Sequence, residues 1–188
     1  MQPVTAPTRL LFAATGARLA DEAAGVAVAL HVVARTGDPR LAGLVVAAFA
    51  LPTLVTGPVL GALLDRLRRP RGLFLANLVA LAGALAGILL LAGRAPAAVL
   101  IGLGLLAGVT APVLTGGFSA LVPRLAAPGG LPRANAADTA SYDVAGLGGP
   151  ALVAVMASVA GAGPALAVTA AVNRRSACAF SAGAPVMV

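Results

Sequence analysis

Apolar residues in this chain come in long runs, not in strict alternation. A helix needs about 20 apolar residues, at 1.5 Å rise each, to cross roughly 30 Å of hydrocarbon. Five runs meet that length: about Leu10 to Val33, Leu41 to Leu64, Gly72 to Ala92, Ala97 to Val122 and Ala136 to Ala160. Polar or breaker-rich stretches divide them, namely Arg35-Thr-Gly-Asp-Pro-Arg40, Asp65 to Arg71, Gly93-Arg-Ala-Pro96 and Pro123 to Arg133. A sixth run, Gly161 to Val172, rises only about 18 Å as helix and is incomplete as a span. The pattern predicts an all-α membrane protein with five to six transmembrane helices. Pro52 and Pro58 are expected to kink the second span, and Gly146, Gly148, Gly149 and Pro150 to interrupt the fifth. Residues 173–188 show no helical period. They form an aberrant or truncated tail on this pattern, with the Arg, Ser, Ala, Gly and Pro content of a frame-shifted GC-rich gene.

Composition moves the solvent from water to lipid. Of 188 residues, 60% are apolar and 10% charged, against about 25% charged in soluble domains. The net charge is +7 and every basic residue is Arg. There is no Trp, one Tyr and no basic stripe, which argues against nucleic acid as a partner. The arginines stand at the ends of apolar runs, as topology signals do. With the amino terminus in the cytoplasm, Arg9, Arg66, Arg68, Arg69, Arg71, Arg124, Arg133, Arg174 and Arg175 fall inside, and Arg35, Arg40 and Arg94 outside. That bias gives a multi-pass protein of the cell membrane with a cytoplasmic amino terminus. One cysteine, Cys178, excludes an intramolecular disulfide, and one histidine, His31, excludes paired-histidine metal sites. No nucleophile–base pair, phosphate loop or cofactor motif points to an enzyme.

Ionisable residues at membrane depth are costly and mark pathways or bundle interiors. Arg18, Asp21 and Glu22 lie about 12 to 18 Å into the first span, at three- and four-residue spacings that put them on one face. They are candidates for a proton or substrate pathway, with a carboxylate tuned by Arg18; a self-neutralised ionic knot is the structural alternative. Asp143, beside Tyr142 in the fifth span, is a further candidate, either as a partner of Arg18 across the bundle or as a group that takes a proton during transport. Ser141, Ala145 and Gly149, at four-residue steps and followed by Pro150, form a small-residue packing face. Asn77 fits an interhelical hydrogen bond.

The loop Gly61-Ala-Leu-Leu-Asp-Arg-Leu-Arg-Arg-Pro-Arg71 resembles the signature between helices two and three of the major facilitator superfamily, Gly-x-Leu-Ala/Ser-Asp-Arg-x-Gly-Arg-Arg. Gly61, Leu63, Asp65, Arg66 and Arg69 fit; Leu64 replaces a small residue and Arg68 a glycine. Ala120-Leu-Val-Pro-Arg-Leu125, Leu131-Pro-Arg-Ala-Asn135 and Gly148-Gly-Pro-Ala-Leu152 are similar to the fourth and fifth helices of its enterobactin-exporter-like and macrolide-efflux-like branch. The resemblance implies the amino-terminal six-helix half of a twelve-span transporter. It implies proton-coupled efflux of small amphipathic molecules, and Gly149-Pro150 resembles a degenerate antiporter motif. It also implies that Asp65 bridges to a carboxyl-terminal half, which this chain would have to meet as a separate piece or replace with a second copy. The alternative expectation is a non-transporting membrane fragment, or a helical subunit acting by association.

Overall fold

In the computed structural model, which describes residues 6–66, 71–125 and 129–182, the chain folds into six helices, with no strand among those residues. They are α1 (Ala6–Thr36), α2 (Pro39–Arg66), α3 (Arg71–Leu91), α4 (Ala97–Leu125), α5 (Leu131–Ala160) and α6 (Ala162–Ala182). The shortest have 21 residues, about 31 Å of helix. By length and composition, Leu131–Ala160 is the one helix among the described residues that passes as a membrane span; the other described apolar stretches, Pro39–Leu54, Leu75–Leu91 and Ala97–Thr110, are shorter.

Local chemistry ends α1 and starts α2 where the apolar pattern breaks. Thr36 donates its hydroxyl to Val32 O at 2.7 Å, and Gly37, at φ 67°, turns the chain while its N–H bonds to Val33 O. A positive φ is cheap only for glycine, so the helix stops there. Asp38 then caps α2 by accepting from the N–H groups of Arg40 (2.8 Å) and Leu41 (3.2 Å), with Pro39 at the first helical position.

Three expected features differ in the structure. The fifth run is not interrupted but is one helix through Gly146 to Pro150. It also starts earlier than Ala136, at Leu131, with Pro132 in its first turn. The sixth helix does not end at Val172 but continues to Ala182. Asn173 and Ser176, polar residues that break the apolar run, are buried; Asn173 donates to Leu78 O at 2.8 Å and Ser176 to Val172 O at 3.0 Å. Their hydrogen bonds let a polar stretch pack inward, which hydrophobic periodicity cannot register.

The helices pair in a repeating way. α1 packs on α5, α6 and α2; α4 packs on α2, α3 and α5. Exchanging the first three helices with the last three turns these three pairings of α1 into those of α4, so the bundle reads as two three-helix units, although α1 also touches α3 in a contact that α4 and α6 do not match. The core runs along α3, where Leu78, Leu81, Leu85 and Ile88 recur at helical spacing and meet Val28, Val32, Leu100 and Leu166. Apolar residues also cover the outside: Leu147 is 79% exposed and Val159 84%. A bundle apolar within and without has lipid as its solvent.

Candidate functional site

The polar centre of the bundle lies where α1, α4 and α5 meet. α1 carries Arg18, whose side chain is completely buried. Its Nη1 donates to Asp138 Oδ1 on α5 at 2.7 Å and to Ser141 Oγ, and its Nη2 donates to Ser119 Oγ on α4 at 3.0 Å. Ser119 passes its single hydroxyl proton to Asp138 Oδ2 at 2.6 Å, so the Tyr142 hydroxyl, 3.2 Å away, is the donor to Ser119. Ser141 accepts from Arg18 and donates to Asp138 O at 2.7 Å. The Tyr142 ring lies under the guanidinium, 3.9 Å from Cζ to centroid, within the range of a cation–π contact.

This arrangement meets the demands of a guanidinium in a low-dielectric place. A buried charge is tolerable when paired and hydrogen-bonded, and costly when either is lost. The carboxylate, two serine hydroxyls and an aromatic face supply those contacts. Since the partners come from two other helices, α4 and α5, the cation also ties both to α1.

Of the residues expected at this site, the structure brings some together and separates others. Arg18 and Asp21 are buried, but Glu22 is exposed. The guanidinium pairs across the bundle with Asp138. Asp143, the expected cross-bundle partner, is exposed on α5; five residues from Asp138, it lies on another side of the helix. Asp138, Ser119 and Ser141 are the functional candidates that sequence inspection passed over or read only as packing. Spacing held the signal: Asp138, Ser141, Ala145 and Gly149 recur at three- and four-residue steps, and Asp143 falls outside that stripe.

Gly149 lies against the α1 backbone: a Cβ there would stand 2.9 Å from Leu19 O and 3.0 Å from Ala23 N. Pro150 is inside the same helix. Asp21 keeps one buried oxygen, Oδ1, with no hydrogen-bond partner among the described residues. Asn77 donates to Thr110 O at 2.7 Å, tying α3 to α4. Gly61, Asp65 and Arg66 belong to the last part of α2, but their side chains lie outside the described residues, as does Arg69 altogether.

An apolar exterior around a buried ion pair defines the class, an integral membrane protein built as a helical bundle. The family follows from comparison with known proteins: the family model of the Major Facilitator Superfamily matches residues 10–173, and the chain belongs to that family. Its similarity to the uncharacterized MFS-type transporter y4rN of Sinorhizobium fredii is 33% identity over 151 residues. That alignment covers 76% of this chain and 36% of the relative, so the chain spans little more than a third of that protein. The family is one of transporters and not of enzymes.

Proposed function

We propose that this chain supplies the amino-terminal half of an exporter that moves small amphipathic molecules out across the cell membrane in exchange for protons. Its amino terminus is cytoplasmic in this reading. The observation that carries the proton coupling is Asp21: a buried carboxylate in α1 with an unpartnered oxygen, while the neighbouring Arg18 is engaged by Asp138. A carboxylate at that depth is costly unless it takes up a proton or meets a cation. Asp21 and Glu22 are the proposed relay, Arg18 with Asp138 fixes α1 beside it, and Asp143 lies further along the pathway. The loop residues Gly61, Asp65, Arg66 and Arg69 serve as the latch toward the other half, and Gly149 with Pro150 keeps α5 close to α1.

Transport then belongs to an assembly of two such bundles, with substrate bound near the midplane between them. The second bundle is a carboxyl-terminal half or a second copy of this chain, which spans 36% of the relative. Crosslinking in native membranes tests it: the expected product contains a second bundle, and a strictly monomeric 188-residue chain overturns the assembly. The coupling is tested in proteoliposomes under an imposed pH gradient. Asp21→Asn or Glu22→Gln is expected to impair efflux driven by the gradient, and unchanged efflux in both removes the relay.

A further inference from the structure

We propose that Arg174 and Arg175 of α6 form a binding site on the bundle's periphery for the phosphodiester headgroup of an anionic phospholipid. The lipid comes from the leaflet on the side of the chain's amino terminus. The site is separate from Arg18 and the acids of α1, and it does not depend on the export reading above.

Helix phase puts the pair on the periphery. Asn173 and Ser176 are buried, so their common side of α6 packs inward. At about 100° per residue, Arg174 and Arg175 straddle the opposite side, and both are exposed. Val168, two turns before Arg175, and Pro164, one turn before Val168, continue that side toward the start of α6 and are also exposed. An apolar strip that ends on two guanidiniums offers an acyl chain its body and a phosphate its partners.

Depth makes the pair unusual. Asn173 donates to Leu78 O at 2.8 Å, which sets this part of α6 level with α3. Leu78 follows Arg71, the first residue of α3, by about 10 Å of helix. On the other side, a Cβ on Gly16 of α1 would stand 2.8 Å from Ser176 Oγ. Gly16 follows Leu10, where the first apolar run begins, by about 9 Å. Beyond Arg175, α6 itself runs on for about 10 Å to Ala182. Three helices therefore agree that the arginines stand about 10 Å inside the apolar layer.

A cation exposed at that depth needs a counter-ion. The dipole of α6 does not supply one, because its influence falls off within the last turn and the pair lies earlier. Neither arginine forms an ion pair among the described residues. On the helices packed against α6, the described charged side chains are Arg18, Asp21, Glu22 and Arg35 of α1 and Arg133, Asp138 and Asp143 of α5. Asp138 is held by Arg18, and Asp21 is buried. Glu22 lies about 120° around α1 from Gly16, which meets α6. Asp143 is exposed on α5 without reaching either arginine. Side chains lean toward the amino terminus of their helix, which in α6 is deeper into the apolar layer. The guanidiniums thus reach the headgroup level only by bending back, and a phosphodiester drawn inward meets them with paired N–H donors.

The test uses the full 188-residue chain in phosphatidylcholine nanodiscs, with bimane attached to its one cysteine, Cys178, which is exposed one turn beyond the pair. A small fraction of lipid carries a nitroxide on its acyl chain, under either a phosphatidylglycerol or a phosphatidylcholine headgroup. The glycerol lipid is expected to quench as though enriched about tenfold beside the label. That enrichment should persist in about 0.5 M salt, since charges away from bulk water are screened less. Replacing both residues, Arg174→Gln with Arg175→Gln, should abolish it, while Arg174→Lys with Arg175→Lys should retain most of it. Equal quenching by the two headgroups, or enrichment undiminished in the glutamine variant, overturns the site. Enrichment erased by salt reduces it to attraction at the membrane surface and overturns its depth. Enrichment erased by excess glycerol phosphate in solution makes a soluble phosphate the ligand and overturns the lipid. Quenching by neither lipid means that protein covers this side of α6, which overturns the proposal as well.

Discussion

The α1–α5 and α2–α4 seams occupy corresponding places in the two three-helix units, yet they are closed by different chemistry. Between α2 and α4 the contact is made by backbone approach. Gly108 of α4 lies so close to α2 that a Cβ would collide with Phe49 O, and one on Gly104 would stand 2.7 Å from Val45 O. No hydrogen bond or ion pair between side chains links α2 to α4 among the described residues. Between α1 and α5 there is also a glycine contact, at Gly149, but the seam is crossed by the Arg18–Asp138 pair. Close helix packing is made by small residues at Gly104 and Gly108, where α4 meets the backbone of α2. The buried ion pair of the α1–α5 seam adds a desolvation cost that a glycine contact does not carry.

That contrast can be broken at either seam. The largest effect is expected from Asp138→Ala, which leaves a fully buried guanidinium without its carboxylate. The loss should be about 3–5 kcal/mol of unfolding free energy, read by denaturant unfolding in mild detergent. Replacing both partners with apolar residues, Arg18→Met with Asp138→Leu, should recover most of that stability while abolishing transport by the assembled protein. A double variant as unstable as the single one would show that the pair is a structural necessity. Next comes Gly108→Ala, expected to cost about 1–3 kcal/mol because backbone cannot yield as a side-chain tip can. Gly149→Ala should cost less, since its nearest backbone atoms are 2.9 and 3.0 Å from the new Cβ. If Gly149→Ala proves the more damaging, the ranking of the two seams by closeness is wrong.

Away from both seams, Asn173→Ala removes the donor to Leu78 O and should destabilise the bundle by about 1 kcal/mol. A change near zero would mean that α6 beyond Val172 does not pack in solution as it does here. The smallest effect is expected from Asp143→Asn, within about 0.5 kcal/mol, as for exposed sites away from such features.

The number and order of helices were legible because apolar runs of spanning length are a coarse signal that survives single exceptions. Finer features were not. Gly146 to Pro150 were expected to interrupt the fifth span, yet α5 remains one helix, as lipid-embedded helices can when neighbours or local adjustment satisfy the freed carbonyl. Asn173-Arg-Arg-Ser176 looked like the end of order because charge and amide break hydrophobic periodicity. In three dimensions Asn173 and Ser176 turn inward and find backbone acceptors, while Arg174 and Arg175 are exposed. Asp138 was hidden for a related reason. It sits two residues into the fifth run, beside the polar opening of α5, whereas Asp143 lies deeper. Helix phase decides between them, and phase was available in the Ser141–Ala145–Gly149 stripe.

The same phase argument locates the partner of Arg18, on which the site depends. Double-mutant cycles for unfolding in detergent, pairing Arg18→Met in turn with Asp138→Leu and with Asp143→Leu, measure that partnership most directly. A coupling of about 1–3 kcal/mol with Asp138 and none resolved with Asp143 is the predicted result. Coupling to Asp143 that equals or exceeds that to Asp138 would contradict the account.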